Sequence, residues 1–411
     1  MPWLAERFSA ALLALLLGFG ILSMWVPARW PLGVFQGGTF ALGLAWAARL
    51  AWRGEAPRIS FPSLALGGVL LWGFLQLGQG WSVYRFATCD VLLTWATYWT
   101  VFWLALELFH RQEPRRRFRR ALLWFGFVLS VASTVFYFTA PGKIFGLFPV
   151  EYRAVGPFLN RDHYSTFVEL VVPLALWEAL NDPRRAWSRA LMAGALFASV
   201  IAGASRAGSI LVTMEILVVL FLGLTSRWRP AGALQRSLAW MALFVVVFAA
   251  VVGWEVLWSR FQEPDPFAGR REMLQSSLAM VRERPWTGFG LGTWPTAYPA
   301  YAVTDFGLSV FANHAHNDWA EWAAEGGVPL LLLVFSVALW SLRHAVRFPW
   351  GMGVVSAFCH CAVDFPMQRP ALAALTFALV GALAAAGQSH SGKRPKDHSA
   401  PQHVLHADSA C

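Results

Sequence analysis

An all-α, polytopic membrane protein of about twelve transmembrane helices is predicted by three features of this sequence. The chain is 57% hydrophobic and only 14% charged, whereas a soluble chain carries about a quarter charged residues. Its apolar residues are bunched into runs of about twenty, the helix length that crosses a hydrocarbon core of ~30 Å. Its basic residues gather in alternate connections, the pattern of short loops retained in the cytoplasm. The 23 tryptophans suit aromatic belts at both interfaces. A net charge of +10 would suggest nucleic acid in a soluble domain. Here topology accounts for much of it, and no nucleic-acid partner is expected.

Taken in order, spans are expected near 8–28, 32–50, 61–79, 88–109, 121–139, 164–180, 189–204, 209–226, 237–257, 326–342, 351–367 and 371–387. The first apolar run lacks a basic leader and leads directly into another span, so it reads as a span and not as a cleaved signal. Basic loops follow alternate spans: Arg49, Arg53 and Arg58; Arg111, Arg115, Arg116, Arg117, Arg119 and Arg120; Arg184, Arg185 and Arg189. Arg227, Arg229 and Arg236 come next, then Arg343 and Arg347, then Lys393, Arg394 and Lys396. With twelve spans all six groups fall on one side, which puts both termini in the cytoplasm. Residues 1–387 are expected to form one transmembrane domain, and 388–411, rich in Ser, His, Lys and Pro, a disordered cytoplasmic tail.

The opposite side carries the polar chemistry. Its largest loop runs from about Trp258 to Asn317 and, with the residues after it, forms an expected catalytic segment of about 258–325. Within it Met273, Leu274, Leu278 and Val281 recur at helical spacing, which predicts a helix over 270–284 lying on the membrane surface, broken by Pro285.

Arginines on a side that should be poor in them need a reason. Arg153 and Arg161 flank the entry to the sixth span, Arg206 lies at the end of the seventh, and Arg270 and Arg271 begin the surface helix. Their guanidinium forks match phosphate oxygens, which points to an anionic ligand, while the plainer reading is contact with lipid headgroups. Arg206 is the best single candidate, because the run from Gly203 to Ser209 is otherwise small residues that let helices and ligand approach closely. The alternative is that these residues only pack helices.

Asp318 and Glu321 have the spacing of a capping box, which puts His316 just before a helix N-terminus. A histidine there tends to stay neutral, and as a base it would take a proton from an acceptor hydroxyl. The alternative is a loop histidine that only caps or hydrogen-bonds. His314 and His316 have no third ligand at useful spacing, so no metal is expected. His360 and Asp364 lie four apart near the end of the eleventh span, either orienting substrate or clamping helices. The run Gly288-Phe289-Gly290-Leu291-Gly292 reads first as a tight turn and second as an anion-binding nest; no Gly-Lys-Ser/Thr follows, so it is not a nucleotide loop. Of the four cysteines, Cys359 and Cys361 diverge on a predicted helix and, like Cys89 and Cys411, are read as ordinary packing.

In order and together, these segments resemble the O-antigen ligase/polymerase family of bacterial envelope glycosyltransferases. The stretch Gly156 to Tyr164 is similar to its Gly-x-Phe-x-Asn-x-Asn segment, with Asp162 in place of the second Asn. Ser205-Arg206-Ala207-Gly208 resembles its Ser-Arg-Gly/Ala motif. Gly269-Arg270, Ser277-Leu278, Arg284-Pro285 and Gly288-Phe289-Gly290 resemble its Gly-Arg…Ala-Leu…Pro-x-x-Gly-x-Gly stretch, with Leu274 where Trp is usual. His316-Asn317 with Gly327 resembles its His-Asn-x9-Gly signature, although Leu330 departs from the usual Gly, Thr or Tyr. The segment from His360 to Gln368 resembles one in exopolysaccharide-associated members.

The resemblance implies a GT-C-like helical fold in the bacterial inner membrane. It implies transfer of a glycan from undecaprenyl diphosphate to lipid A-core or to another repeat unit, on the periplasmic face, with neither nucleotide sugar nor metal. On that reading Arg206 and Arg270 hold the diphosphate, and His316 activates the acceptor hydroxyl for inversion at the anomeric carbon. Arg161, Arg153, Asn317, Asp364 and His360 lie around the substrate. A lipid-linked glycan flippase is the non-enzyme rival; such folds usually show paired halves with matching broken helices, and no such repeat is visible here.

Overall fold

The computed structural model describes residues 2–151, 154–225, 254–263, 267–303 and 312–391, with 239–240, 242–244, 246–247 and 250. Arg153, part of the expected ninth span, the arginines of 227–236 and the tail beyond 391 lie outside the described residues.

The first eight expected spans are helices: α1 (Pro2–Ser23), α2 (Trp30–Arg53), α3 (Phe61–Gly78), α4 (Arg85–Leu108), α5 (Gln112–Thr139), α6 (Arg161–Asn181), α7 (Ala186–Gly203) and α8 (Arg206–Leu224). A short α9 (Glu255–Phe261) and α10 (Ala268–Glu283) precede α11 (Asp318–Arg347), α12 (Met352–His360) and α13 (Pro370–Ser391). Eight of these, α1, α3, α4, α5, α7, α8, α11 and α13, are long and apolar enough to cross a membrane. The chain is therefore an all-α, multi-pass membrane protein.

The helices sort into two layers. In α6 almost every residue from His163 to Leu180 is buried, as expected of a helix surrounded by others. The C-terminal α13 packs along α4, and α6 packs against α7, α8 and α12. Outside them α1, α3, α5 and α8 leave leucines and aromatics such as Leu15, Leu64, Phe74 and Phe221 exposed, faces that a hydrocarbon solvent would cover.

Two expected spans take a different form. The tenth lies in the second half of α11, which breaks at Gly327 (φ 65°, ψ −170°). The twenty residues after the break give the ~30 Å a span needs. The eleventh, expected over 351–367, is a helix only as far as His360. Its nine residues rise ~14 Å, too short to cross. Hydropathy reads this segment as continuous, but Pro366 and the buried polar contacts of Asp364 end the helix and turn the chain into the site.

The glycine runs interlock at the break in α11. The amides of Phe289 and Gly290 donate to the carbonyls of Ala324 and Glu325 at 3.1 and 2.8 Å, and Val328 donates to Pro285 at 2.8 Å. Leu291 donates to the Gln76 side chain, whose amide holds the carbonyls of Thr287 and Glu325. These amides are spent on the fold, so the run is a docked turn and not an anion nest. A Cβ at Gly327 would stand 2.6 Å from the Pro285 carbonyl oxygen, and one at Gly288 2.2 Å from that of Glu325. Both glycines have positive φ, so Gly327→Ala should destabilise by about 3 kcal/mol or more from strain and clash together. A thermal unfolding midpoint equal to wild type would overturn that expectation.

Candidate active site

Two helix caps build the floor of the site. Asn160 caps α6 by accepting from the Asp162 amide at 2.8 Å, and its own amide donates to Asp364 Oδ2 at 3.0 Å. Ser205 caps α8 by accepting from the Gly208 amide at 3.0 Å, and its hydroxyl donates to Asp162 Oδ1 at 2.6 Å. Each cap residue thus holds a helix start and a carboxylate at once, which fixes both carboxylates to rigid elements.

Arg270, in the first turn of α10, crosses to this floor. Its Nη2 donates to Asp162 Oδ2 at 3.0 Å and its Nη1 to the Val363 carbonyl at 2.6 Å. Arg206, at the start of α8, donates to the Arg260 carbonyl at 2.8 Å and to Glu263 at 3.0 Å, with its guanidinium over the Phe267 ring. Both arginines line one cavity of about 330 Å³ with Asp162, Arg260, Phe261 and Phe267. Asp162, the departure from the family's usual Asn, is therefore the counter-ion of Arg270.

His316 sits beside this floor with its backbone in the left-handed region, φ 50°. Its Nδ1 is 3.0 Å from Asp364 Oδ1. With an ionised Asp364, Nδ1 is the protonated nitrogen and Nε2 the acceptor. Asp364 is fully buried and His316 about a third exposed, so the base faces outward and its orienting carboxylate inward. Burial alone would raise the Asp364 carboxyl; the hydrogen bond from His316, then His163 and Arg270, hold it below the usual carboxylate range. The Asp162 and Asp364 carboxylates come within 4.8 Å of each other, which joins the arginine cavity to the base.

Phe365 packs between several charged or basic groups. The rings of His314, His316 and His163 lie 4.6, 4.6 and 4.7 Å from its ring, and the Arg369 guanidinium lies over it at 5.1 Å. His314 pairs with Glu321 at 2.9 Å. Burial, with Arg369 and His316 adding to it, pushes His314 down to about 3, so it is neutral at pH 7.

The expected residues divide. Arg206, Arg270, His316 and Asp364 are brought together. Arg161 is exposed at the first turn of α6, near Arg260. Asn317, and not Asp318, caps α11: its Oδ1 accepts from the Ala320 amide at 3.0 Å and its Nδ2 donates to the Ala362 carbonyl at 2.8 Å. Asp318 is buried and accepts from the Met367 amide at 3.0 Å, while Glu321 accepts from Ala315 and so does not close a capping box with it. His360 is fully buried and bonds Glu169 at 2.8 Å and Thr166 at 3.1 Å, a clamp onto α6. The predicted helix over 270–284 is α10, but its inward stripe is Met273, Ser276, Ser277 and Met280 against protein, and Leu278 points out.

Sequence reasoning passed over Asn160, Asp162 as a counter-ion, Arg260 and Arg369. Arg369 is flanked by Asp364, Glu321 and Asp318, and its buried Nε has no acceptor among the described residues. It stands one residue beyond the His360–Gln368 motif, and as another arginine near the arginine-poor side it was open to the same argument as Arg206.

Among the described residues one group has metal-ligand spacing, Asp162, His360 and Asp364. Its carboxylates already accept from Arg270, Ser205, His316 and Asn160. A cation there would have to displace two positively charged or protonated partners, so the group reads as an ion-paired polar core.

Residues 190–335 match the O-antigen ligase family model. The match agrees with the family resemblance over that stretch of the chain. It includes Arg206, Arg270, His316 and Gly327, whereas Asp162 and Asp364, which complete the site, lie outside it. No curated protein matches the chain.

Proposed function

We propose, from the O-antigen ligase match and the site built around it, that this membrane protein is a metal-independent glycosyltransferase. It takes a glycan from undecaprenyl diphosphate and gives it to an acceptor sugar, lipid A-core or similar, on the periplasmic face of the bacterial inner membrane. The observation that carries the reading is the His316–Asp364 pair at 3.0 Å beside a cavity lined by Arg206 and Arg270.

In the proposed step His316 Nε2 takes the acceptor hydroxyl proton as that oxygen attacks the anomeric carbon. The bond from that carbon to the phosphate oxygen breaks on the opposite face, so configuration inverts. The electron pair leaves on the diphosphate, where Arg206 and Arg270 stabilise the growing charge. Asp364 keeps the imidazole in the productive tautomer, the part a carboxylate plays beside a catalytic histidine. Asn317 acts by fixing the α11 start next to His316, and His360 by fixing the turn that carries Asp364. Arg161, at the start of α6, would meet the rest of the donor, and the same role is proposed for Arg153, eight residues earlier in the sequence.

The test is transfer in membranes that carry a lipid-diphosphate-linked donor and a lipid A-core acceptor. A single product step identifies ligation, and a growing ladder identifies repeat-unit polymerisation. Lipid movement across the bilayer with no transfer would replace the reading with a flippase.

Asp162 gives a finer expectation. It competes with the diphosphate for Arg270, so Asp162→Asn should lower the donor KM several-fold at unchanged fold. An unchanged or raised KM would show that the pair is needed to aim Arg270.

A further inference from the structure

A second and larger cavity, of about 640 Å³, lies at the end of the bundle away from His316. It opens where α5 begins and where α6, α11 and α13 end, and it is lined by Arg111, Arg115, Arg116, Arg119, Arg347 and Trp350 among others. Two carboxylates also line it, but each is engaged by an arginine from outside: Glu178 by Arg120 at 3.2 Å and Asp182 by Arg185 at 3.8 Å.

The lining arginines are not equivalent. Arg115 is buried and donates to the carbonyls of Phe109 and His110, and Arg111 reaches Glu6 at 3.4 Å. Both serve the fold. Arg116, Arg119 and Arg347 have no salt bridge to a carboxylate among the described residues. Arg119 lies over the Trp350 ring at 4.7 Å and buries an Nε–H that has no acceptor among the described residues. An unused buried donor costs about 1–3 kcal/mol, and three guanidiniums around one polar cavity repel one another.

A plainer account is that these arginines only offset the carbonyl ends of α6, α11 and α13 or draw anionic lipid to a basic surface. Neither requires a cavity of this size, nor a guanidinium held over an indole with a donor unspent. A phosphate group supplies what is missing: negative charge and several acceptor oxygens that match guanidinium forks.

We propose that this cavity binds a phosphate group, either the headgroup of an anionic phospholipid or a soluble phosphate, at a site separate from the His316 centre. The full-length protein in phosphatidylcholine nanodiscs tests it, by the thermal unfolding midpoint on adding phosphatidylglycerol to the bilayer or pyrophosphate to the solution. At least one arm should raise the midpoint by a few degrees. Arg116→Gln/Arg347→Gln, which alters two exposed side chains and leaves the buried ones in place, should lose most of that rise. Arg53→Gln/Arg184→Gln, at the same end but outside the cavity, should keep it.

A rise with the lipid alone assigns the headgroup, a rise with pyrophosphate alone assigns a soluble ligand, and a rise with both supports the phosphate class. No rise in either arm overturns the proposal. So does equal loss in the two variant pairs, which would mean a diffuse basic surface.

Discussion

His316→Ala should cut glycan transfer by about 10²- to 10⁴-fold, the range spanned by removal of a positioned general base. The position is unusual in backbone as well as side chain, since His316 adopts φ 50°. Alanine is strained there by about 1–2 kcal/mol, whereas asparagine tolerates the conformation. His316→Asn is therefore the cleaner variant, keeping the turn and removing the base. Asp364→Asn should cost a comparable factor, because an amide in place of the carboxylate no longer selects the Nδ1–H tautomer. The double variant should be hardly worse than either single one, as for residues that act as a unit. Losses that multiply would separate the two residues and sink the dyad. With its carboxyl held below the usual range, Asp364 stabilises the fold fully above the unfolded value of about 3.9 and loses that contribution only as pH falls below it. No pH dependence above about pH 4 should therefore trace to Asp364.

Arg270→Gln and Arg206→Gln should each lower kcat/KM by about 10²–10³, the scale for removing a donor aimed at developing charge. Lysine should rescue Arg270 poorly, because the fork holds Asp162 and the Val363 carbonyl at the same time. Losing Arg270 also strips Asp162 of its counter-ion, so a drop in activity could come from a disturbed floor. Arg270→Gln/Asp162→Asn separates the two causes, since a neutral pair removes the stranded charge without returning the guanidinium. Transfer should stay low in that double variant. Recovery to near wild type would make Arg270 a structural residue and leave Arg206 alone with the leaving group.

Much of this was legible in the sequence, for reasons that differ by residue. Runs of twenty apolar residues report α1 to α8 and α13 directly, because hydrocarbon demands that length. Arg206, Arg270 and His316 stood out because charge and imidazole are costly near a membrane and so are seldom idle. The shortening of α12 was not legible, since the polar partners of Asp364 come from α6 and from the loop before α11, 48 or more residues away. For the same reason Asn317 was taken for a ligand-facing residue when it is a helix cap. The glycines at 288 and 327 were each visible as turn formers; that they clasp each other depends on a long-range backbone match with no periodic trace.

Phe365 has no proton to give or receive, yet it occupies the space among three imidazoles. It therefore works as a spacer between those rings. On the proposed mechanism a proton taken up by His316 has no path through that ring to His314, whereas toward His163 the Asp364 carboxylate lies between, 3.0 Å from one imidazole and 4.0 Å from the other. Crowding three imidazoles around one benzene thus leaves a carboxylate, and not ring-to-ring contact, as the link between two of them.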